Sequence, residues 1–347
     1  MSVKDFIQAM PKVELHLHLE GAIQKERLLI IAEQNEIAEQ IKHFQDWVRL
    51  LDKPDYERLY EIVQTTIQWL QHPEDLTHVA YELGVSLAKQ NVRYAEVSVN
   101  PTNFTENGWT FEQFLGALND GRNRAERGWG VQMRWILTIG RDQPRHADEV
   151  VRWASSNASQ SSGVVGIGLS GPERAQPVGQ FERAFKTAAK KQIARSVHAG
   201  ESNGAEGVLE VLRELEPTRV IDGWGTADSL EVRQMLIDQN IPLDICLKRA
   251  ICHGWVSDYS QYPLRQLYDD GVPIVLGTDM PWFYKTTLND EYLAVVQHSG
   301  LGIEELEQIA LNAVHASQIP EPERTAMAES FKQEYAQLRE EYLGEEA

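Results

Sequence analysis

Val197-His198-Ala199-Gly200-Glu201 follows a run, Ile193 to Val197, that reads as a strand. The histidine stands at the strand's end. Three residues on comes a carboxylate, across a turn that Gly200 loosens. A neutral imidazole can hold a metal ion, and a nearby carboxyl group can pass a proton to a bound substrate. One histidine at a strand end is commonplace. It gains meaning only if other strands deliver further ligands to the same place.

A second stretch offers them. Val13-Glu14-Leu15-His16-Leu17-His18-Leu19 alternates with a period of two, the pattern of a strand. Alternation puts His16 and His18 on one face and Leu15, Leu17 and Leu19 on the other. Two histidines on one face at a strand end form a chelating pair. The same pattern also fits a merely polar strand face. Gly21 then breaks the strand.

From residue 92 onward, strands alternate with helices. Strands are predicted at Val92 to Val99, Val131 to Ile139, Gly163 to Leu169, Ile193 to Val197, Arg219 to Ile221, Pro242 to Cys246 and Val272 to Leu276. Helices fall between them, near Phe111 to Arg127, Ala147 to Ser155, Phe181 to Lys191, Glu206 to Leu215, Leu230 to Gln239 and Pro263 to Asp270. With the first strand that makes eight strands, and such alternation predicts a parallel sheet closed as an α/β (β/α)₈ TIM barrel. Additional helices follow strand one (Glu26 to Gln34, Asp55 to Leu70, and one opening at Pro73) and end the chain (Ile303 to His315, Pro322 to Tyr342). Phe44 and Trp47, in a helical segment, could line a pocket mouth or belong to the core. No repeat or linker divides residues 1–347, so one domain is expected. The active face of such a barrel is the rim at the C-terminal strand ends. His16, His18, His198 and Asp279 all fall there, at strands one, five and eight.

The composition excludes several classes. The formal net charge of −19 argues against binding a nucleic-acid backbone or an anionic membrane surface, both of which need clustered Lys and Arg. The sequence has no apolar run of about 18 residues and no apolar signal core near Met1, so neither a membrane span nor a leader is expected. Two cysteines, Cys246 and Cys252, make no disulfide framework and point to a reducing cytoplasm. The acidic end, Glu340 to Glu346, reads as a solvated helix end. The oligomeric state is not legible.

Three histidines and one aspartate match a mononuclear Zn²⁺ site, one ion per chain, with a position left for water. Such an ion lowers the pKa of that water towards neutrality. Asp279 could bind the metal and accept the water's proton. Glu201 could protonate a substrate from across the site. Together these parts perform hydrolysis at an electrophilic carbon.

Pro11-Lys12-Val13-Glu14-Leu15-His16-Leu17-His18-Leu19-Glu20-Gly21-Ala22 resembles the opening motif of the adenosine/AMP deaminase family, in the amidohydrolase superfamily. The likeness continues through Tyr94-Ala95-Glu96-Val97, Val165 to Gly171, His198-Ala199-Gly200-Glu201, Gly271-Val272-Pro273-Ile274, Thr278-Asp279 and Thr286 to Tyr292. The resemblance implies that His16, His18, His198 and Asp279 hold zinc and that Glu201 protonates a ring nitrogen. It implies that Gly171 offers its backbone to the base. Glu20, where adenosine deaminases usually carry Asp, would lie near the sugar or its replacement.

The departures bear on the substrate. The family's Arg-Ile-Gly-His-Gly on strand six, whose His steadies the attacking hydroxide, is here Arg219-Val220-Ile221-Asp222-Gly223. Asp222 could still accept a hydrogen bond from the water. The second Asp, which reads the purine's five-membered ring, is here Met280. Cys-Pro-Thr-Ser-Asn after strand seven is here Cys246-Leu247-Lys248-Arg249-Ala250, and Tyr262-Pro263 stands where His-Pro is usual. Lys248 and Arg249, read as a loop, could meet a substrate carboxylate or phosphate. Three readings compete. They are a zinc deaminase of an amino-substituted, purine-like heterocycle other than plain adenosine, a same-fold hydrolase with another leaving group, and a metal-retaining binding protein without turnover.

Overall fold

The computed structural model describes residues 2–344. Eight strands run parallel in sequence order: β1 Lys12–His18, β2 Val92–Val99, β3 Gln132–Gly140, β4 Val164–Ser170, β5 Ala194–Ala199, β6 Arg219–Asp222, β7 Leu243–Ile245 and β8 Ile274–Leu276. Every neighbouring pair from β1 to β8 is in parallel register. The sheet meets itself where Leu17 bridges to Asp279, with His18 N donating to Asp279 O at 2.7 Å and Thr278 N to His16 O at 3.1 Å. This is the expected (β/α)₈ barrel. Its seam joins the segments that carry three of the four candidate ligands.

All seven residues of β1 are buried, polar and apolar alike. One face meets the helical layer and the other the barrel interior, so alternation in the sequence marks two buried faces. The interior is partly ionic. Arg219 on β6 donates to Leu15 O at 2.8 Å and to Glu96 Oε2 on β2 at 3.2 Å.

The helices follow the expected order with small shifts. The stretch read as a helix from Asp55 is one turn, Tyr56–Arg58, leading into Leu59–Ile67. Phe44 and Trp47 lie in a helix, Phe44–Asp52, and pack against the core. Lys248 and Arg249, expected in a loop, sit in the helix Leu247–Cys252. Its N-terminus is held by Glu291, which accepts from Leu247 N at 2.7 Å. The last helix, Glu321–Leu343, carries the start of the acidic end, and Glu345 and Glu346 lie outside the described residues. Among the described residues, no helix is long and apolar enough to cross a membrane. Both cysteines are free thiols.

Candidate metal centre and substrate cavity

His16 and His18 reach the rim from β1, His198 from β5 and Asp279 from the turn after β8. One ligand atom from each lies within 4.8 Å of the others, and all four residues are buried. His18 Nε2 and His198 Nε2 face each other at 3.1 Å. Asp279 Oδ1 is 3.4 Å from His16 Nε2 and 3.8 Å from His18 Nε2. Both ring nitrogens of His16 and the Oδ1 of Asp279 have no hydrogen-bond partner among the described residues. Buried polar atoms left unpaired cost about 1–3 kcal/mol each. A cation shared by three imidazoles and a carboxylate removes that cost at His16 Nε2 and Asp279 Oδ1, and this donor set suits a divalent metal with one position open.

The outer ring nitrogen of His198 is held from behind. Asp222 Oδ2 lies 2.9 Å from His198 Nδ1, so Nδ1–H donates there and Nε2 keeps its lone pair for the centre. Asp244, from β7, stands 3.6 Å from His16 Nδ1. Burial pushes His18 down to about 3 against the opposing charge of Asp279, which leaves it a neutral donor. Burial also opposes a charge on His16, but Asp244 and Asp279 outweigh it and raise that group to about 10. The carboxylates here call for positive charge. Asp279 at φ 54 and Asp222 at φ 66 both adopt the left-handed region. Such strain costs of order 1–3 kcal/mol and clusters at functional sites.

Glu201 lies on the turn after β5. Gly200 has φ 88, and a Cβ there would fall 2.5 Å from Trp224 O, so the turn requires glycine. Glu173, just past β4, accepts the N–H groups of Gly200, Ser202 and Asn203 at 2.9, 2.6 and 3.0 Å. Arg141 Nη2 donates to His198 O at 2.8 Å. Burial would raise the Glu201 carboxyl, but the charge of Arg249, with help from His198, carries it down to about 2.

A cavity of about 270 Å³ opens onto this rim. That is near the lower end of ligand pockets, roughly 300–1,000 Å³. Of the residues predicted from sequence, His18, Glu20, Gly171, His198, Glu201, Arg249, Asp279 and Met280 line it. Gly171 has φ 99, and a Cβ there would press to 3.2 Å from the Tyr60 ring. Glu20 Oε1 accepts from Asn100 N at 2.8 Å. Its Oε2 has no hydrogen-bond partner among the described residues, and burial raises the carboxyl to about 7. Met280 presents a thioether where a polar reader was absent from the sequence. A larger cavity of about 420 Å³, beside Leu17 and Trp282, is lined by no histidine.

Three expectations need correction. Lys248 does not line the cavity, and its backbone N–H is turned to Glu291. Arg249 lines the cavity but is not a free guanidinium awaiting a substrate anion. Its Nη2 donates to Glu201 Oε1 at 2.5 Å, and its Nη1 donates to Asp222 Oδ2 and lies 3.1 Å from Asp279 Oδ2. Asp222 is not among the cavity residues, and its Oδ2 is taken by His198 and Arg249. Arg249 lost the anion role because carboxylates of the protein were nearer.

Sequence reading missed Glu173, Asp244, Tyr60, His253 and Tyr284. Glu173 stands two residues past Gly171 in the turn after strand four, and Asp244 interrupts an apolar strand. A buried aspartate in a parallel strand is itself a signal. His253, Tyr284 and Tyr60 carried none.

The adenosine deaminase family model matches residues 11–334. Aminodeoxyfutalosine deaminase of Streptomyces coelicolor is 29% identical over 327 residues, spanning 94% of this chain and 84% of the relative. Adenine deaminase of Acinetobacter baylyi is 26% identical over 333 residues, spanning 96% and 100%. A zinc-bound amidohydrolase of Burkholderia ambifaria shares the fold, with a TM-score of 0.91 at 24% identity, over 99% of this chain and 96% of that one.

Proposed function

The chain belongs to the adenosine deaminase family, and from that premise we propose that it is a zinc-dependent aminohydrolase releasing ammonia from an amino-substituted, purine-like heterocycle other than plain adenosine. The observation that carries this is the convergence of His16, His18, His198 and Asp279 within 4.8 Å on the rim that also bears Glu201. Relatives acting on adenine and aminodeoxyfutalosine bracket the substrate class. Zinc follows from the three-imidazole, one-carboxylate donor set.

Zinc held by His16, His18, His198 and Asp279 would supply Lewis-acid activation of a water. Asp279 is placed to accept one proton from the attacking water, whose oxygen bonds to the ring carbon bearing the amino group. Glu201 gives a proton to the adjacent ring nitrogen, so the ring C=N becomes C–NH. The exocyclic C–N bond then breaks. The departing nitrogen takes the proton from Asp279 and leaves as ammonia, while the new hydroxyl returns its proton to Glu201 and becomes a carbonyl. Because the charge of Arg249 favours ionised Glu201, Glu201 takes up a proton from solvent before it acts, and it recovers that proton from the new hydroxyl. The Gly171 backbone and Glu20 orient the heterocycle, and Met280 accepts an apolar edge.

The test is ammonia release by zinc-loaded protein from a panel of amino-substituted purines, pteridines, pyrimidines and triazines. Turnover of at least one supports the reading. Tight binding of a purine with no ammonia would instead identify a metal-retaining binding protein, a reading that the pinned Glu201 favours.

A further inference from the structure

The positions at which this chain departs from the family pattern meet in space. Asp222 ends β6 where the family has histidine. Arg249 stands after β7 where the family has serine, and Tyr262 precedes Pro263 where histidine is usual. In the fold, Asp222 Oδ2 accepts from Arg249 Nη1, which also lies 3.4 Å from His198 Nδ1. The guanidinium sits 5.5 Å above the Trp255 ring. Trp255 stacks on Trp224 at 5.5 Å, and Trp224 meets Tyr262 at 5.8 Å. Arg249 is therefore wedged between an aromatic wall and three carboxylates, those of Glu201, Asp222 and Asp279.

Either substitution alone would leave the site unbalanced. Aspartate at 222 without Arg249 gathers three carboxylates, those of Asp222 and Asp279 buried and that of Glu201 half-buried, with no fixed cation among them, an arrangement that like-charge repulsion disfavours. Arginine at 249 without Asp222 loses the acceptor for Nη1. Together they are mutually satisfied. Asp222 fixes the ring of His198 through Nδ1, and Arg249 places a permanently charged planar donor beside Asp279 and Glu201.

We propose that Asp222 and Arg249 jointly replace the family's strand-six histidine, Asp222 as a positioning residue for His198 and Arg249 as the fixed cationic donor beside the proton-accepting Asp279. The inference rests on the deaminase reading for its chemistry. Its metal-binding consequence does not require turnover.

The two members should affect metal affinity in opposite directions. Asp222→Asn removes the carboxylate behind a ligand histidine and should weaken zinc binding about 10–100-fold. Arg249→Gln removes a positive charge 3.1 Å from a ligand carboxylate and should tighten zinc binding several-fold. On the substrate found in the panel, Arg249→Gln should lower kcat about 10²–10³-fold, the effect of deleting one preorganised donor. A purely structural arginine would lower metal affinity and activity together. The double reversion Asp222→His with Arg249→Ser should recover activity that each single change loses.

Zinc dissociation constants come from chelator competition on full-length protein, and kcat and KM from ammonia release. Arg249→Lys, which keeps the charge and loses the fork, serves if Arg249→Gln fails to fold. It should leave zinc affinity near that of wild type and lower kcat. Weaker zinc binding in Arg249→Gln or Arg249→Lys, or a double reversion no better than the worse single variant, overturns the pairing. Absence of any turnover in the wild type would sink the deaminase reading and leave the opposite-sign zinc result to decide this one.

Discussion

Glu173 accepts the backbone N–H of Gly200 at 2.9 Å, and through that bond the end of β4 sets the turn at the end of β5. Two more N–H groups, of Ser202 and Asn203, converge on its other oxygen. The three bonds bracket Glu201, so its direction depends on a carboxylate that does not itself need to meet substrate. In Glu173→Gln an amide nitrogen must face N–H donors. Stability should fall by about 1–3 kcal/mol, and kcat by 10-fold or more, with one metal per chain retained. Denaturant melts and steady-state kinetics check this. An unchanged kcat in a destabilised protein would confine Glu173 to a structural role.

The cluster of His16, His18, His198 and Asp279 predicts one divalent metal per chain. Elemental analysis of chelator-free protein should find it, and His16→Ala or His198→Ala should remove it. Equal metal content in wild type and His16→Ala would place the ion elsewhere.

Glu201 is not one of the four converging ligands, and its proposed work belongs to the transition state. Glu201→Gln keeps the shape and removes the proton. The rate should drop on the order of 10²–10⁴-fold while metal content holds. A variant as fast as wild type would exclude proton transfer by this group.

Much of this was legible in the sequence. The structure gives β2 the bounds expected, Val92–Val99, because Val92, Tyr94, Val97 and Val99 are strand-prone residues that are buried, and Asn100-Pro101 ends the run. The ligand set was legible because His-x-His and the other candidates fell at strand ends that barrel closure brings together. The role of Arg249 was not. Leu247-Lys248-Arg249 reads locally as basic and solvated, and the helix Leu247–Cys252 is too short to show a period. Its partners come from the ends of β5, β6 and β8, and no local pattern reports them. Glu173 was visible as a turn residue, but its bonds go to backbone, which carries no sequence signature.

Burial raises the Glu291 carboxyl to about 7, against hydrogen bonds from Thr286 and from the Lys248 and Leu247 backbone. The folded pKa lies above the unfolded value. Its contribution to stability is thus full below about pH 4.5 and is lost as pH rises through about 7. At 1.36 kcal/mol per unit the change is at most about 3 kcal/mol. Glu14 and Glu20 are raised too and act in the same direction. The stability of wild type minus that of Glu291→Gln isolates the one group, with Asp290 its nearest charged neighbour on the same helix, Leu288–His298. That difference should decline between pH 4.5 and 8. A flat difference would show that Glu291 titrates as it does in the unfolded chain.

Adenosine should be a poor substrate. Met280 lines the cavity and has no donor or strong acceptor for a ring nitrogen. Leaving that nitrogen unpaired in a buried site costs about 1–3 kcal/mol, or roughly one to two powers of ten in rate. Without the Asp222–Arg249 pair, loss of the histidine would add about 2.7–4 kcal/mol. With the pair working, the Met280 loss remains, and Glu20 adds to it, because its side chain is one methylene longer than the family's aspartate and leaves an unpaired oxygen on the side expected to face the sugar. Ammonia release by zinc-loaded protein should therefore be at least 10-fold less efficient from adenosine than from the best heterocycle of the panel. Met280→Asp should raise adenosine turnover relative to that heterocycle. A kcat/KM for adenosine at or above roughly 10⁴ M⁻¹s⁻¹, within the ordinary enzyme range, would mean that the thioether costs the purine nothing and that the departures tune something other than the base.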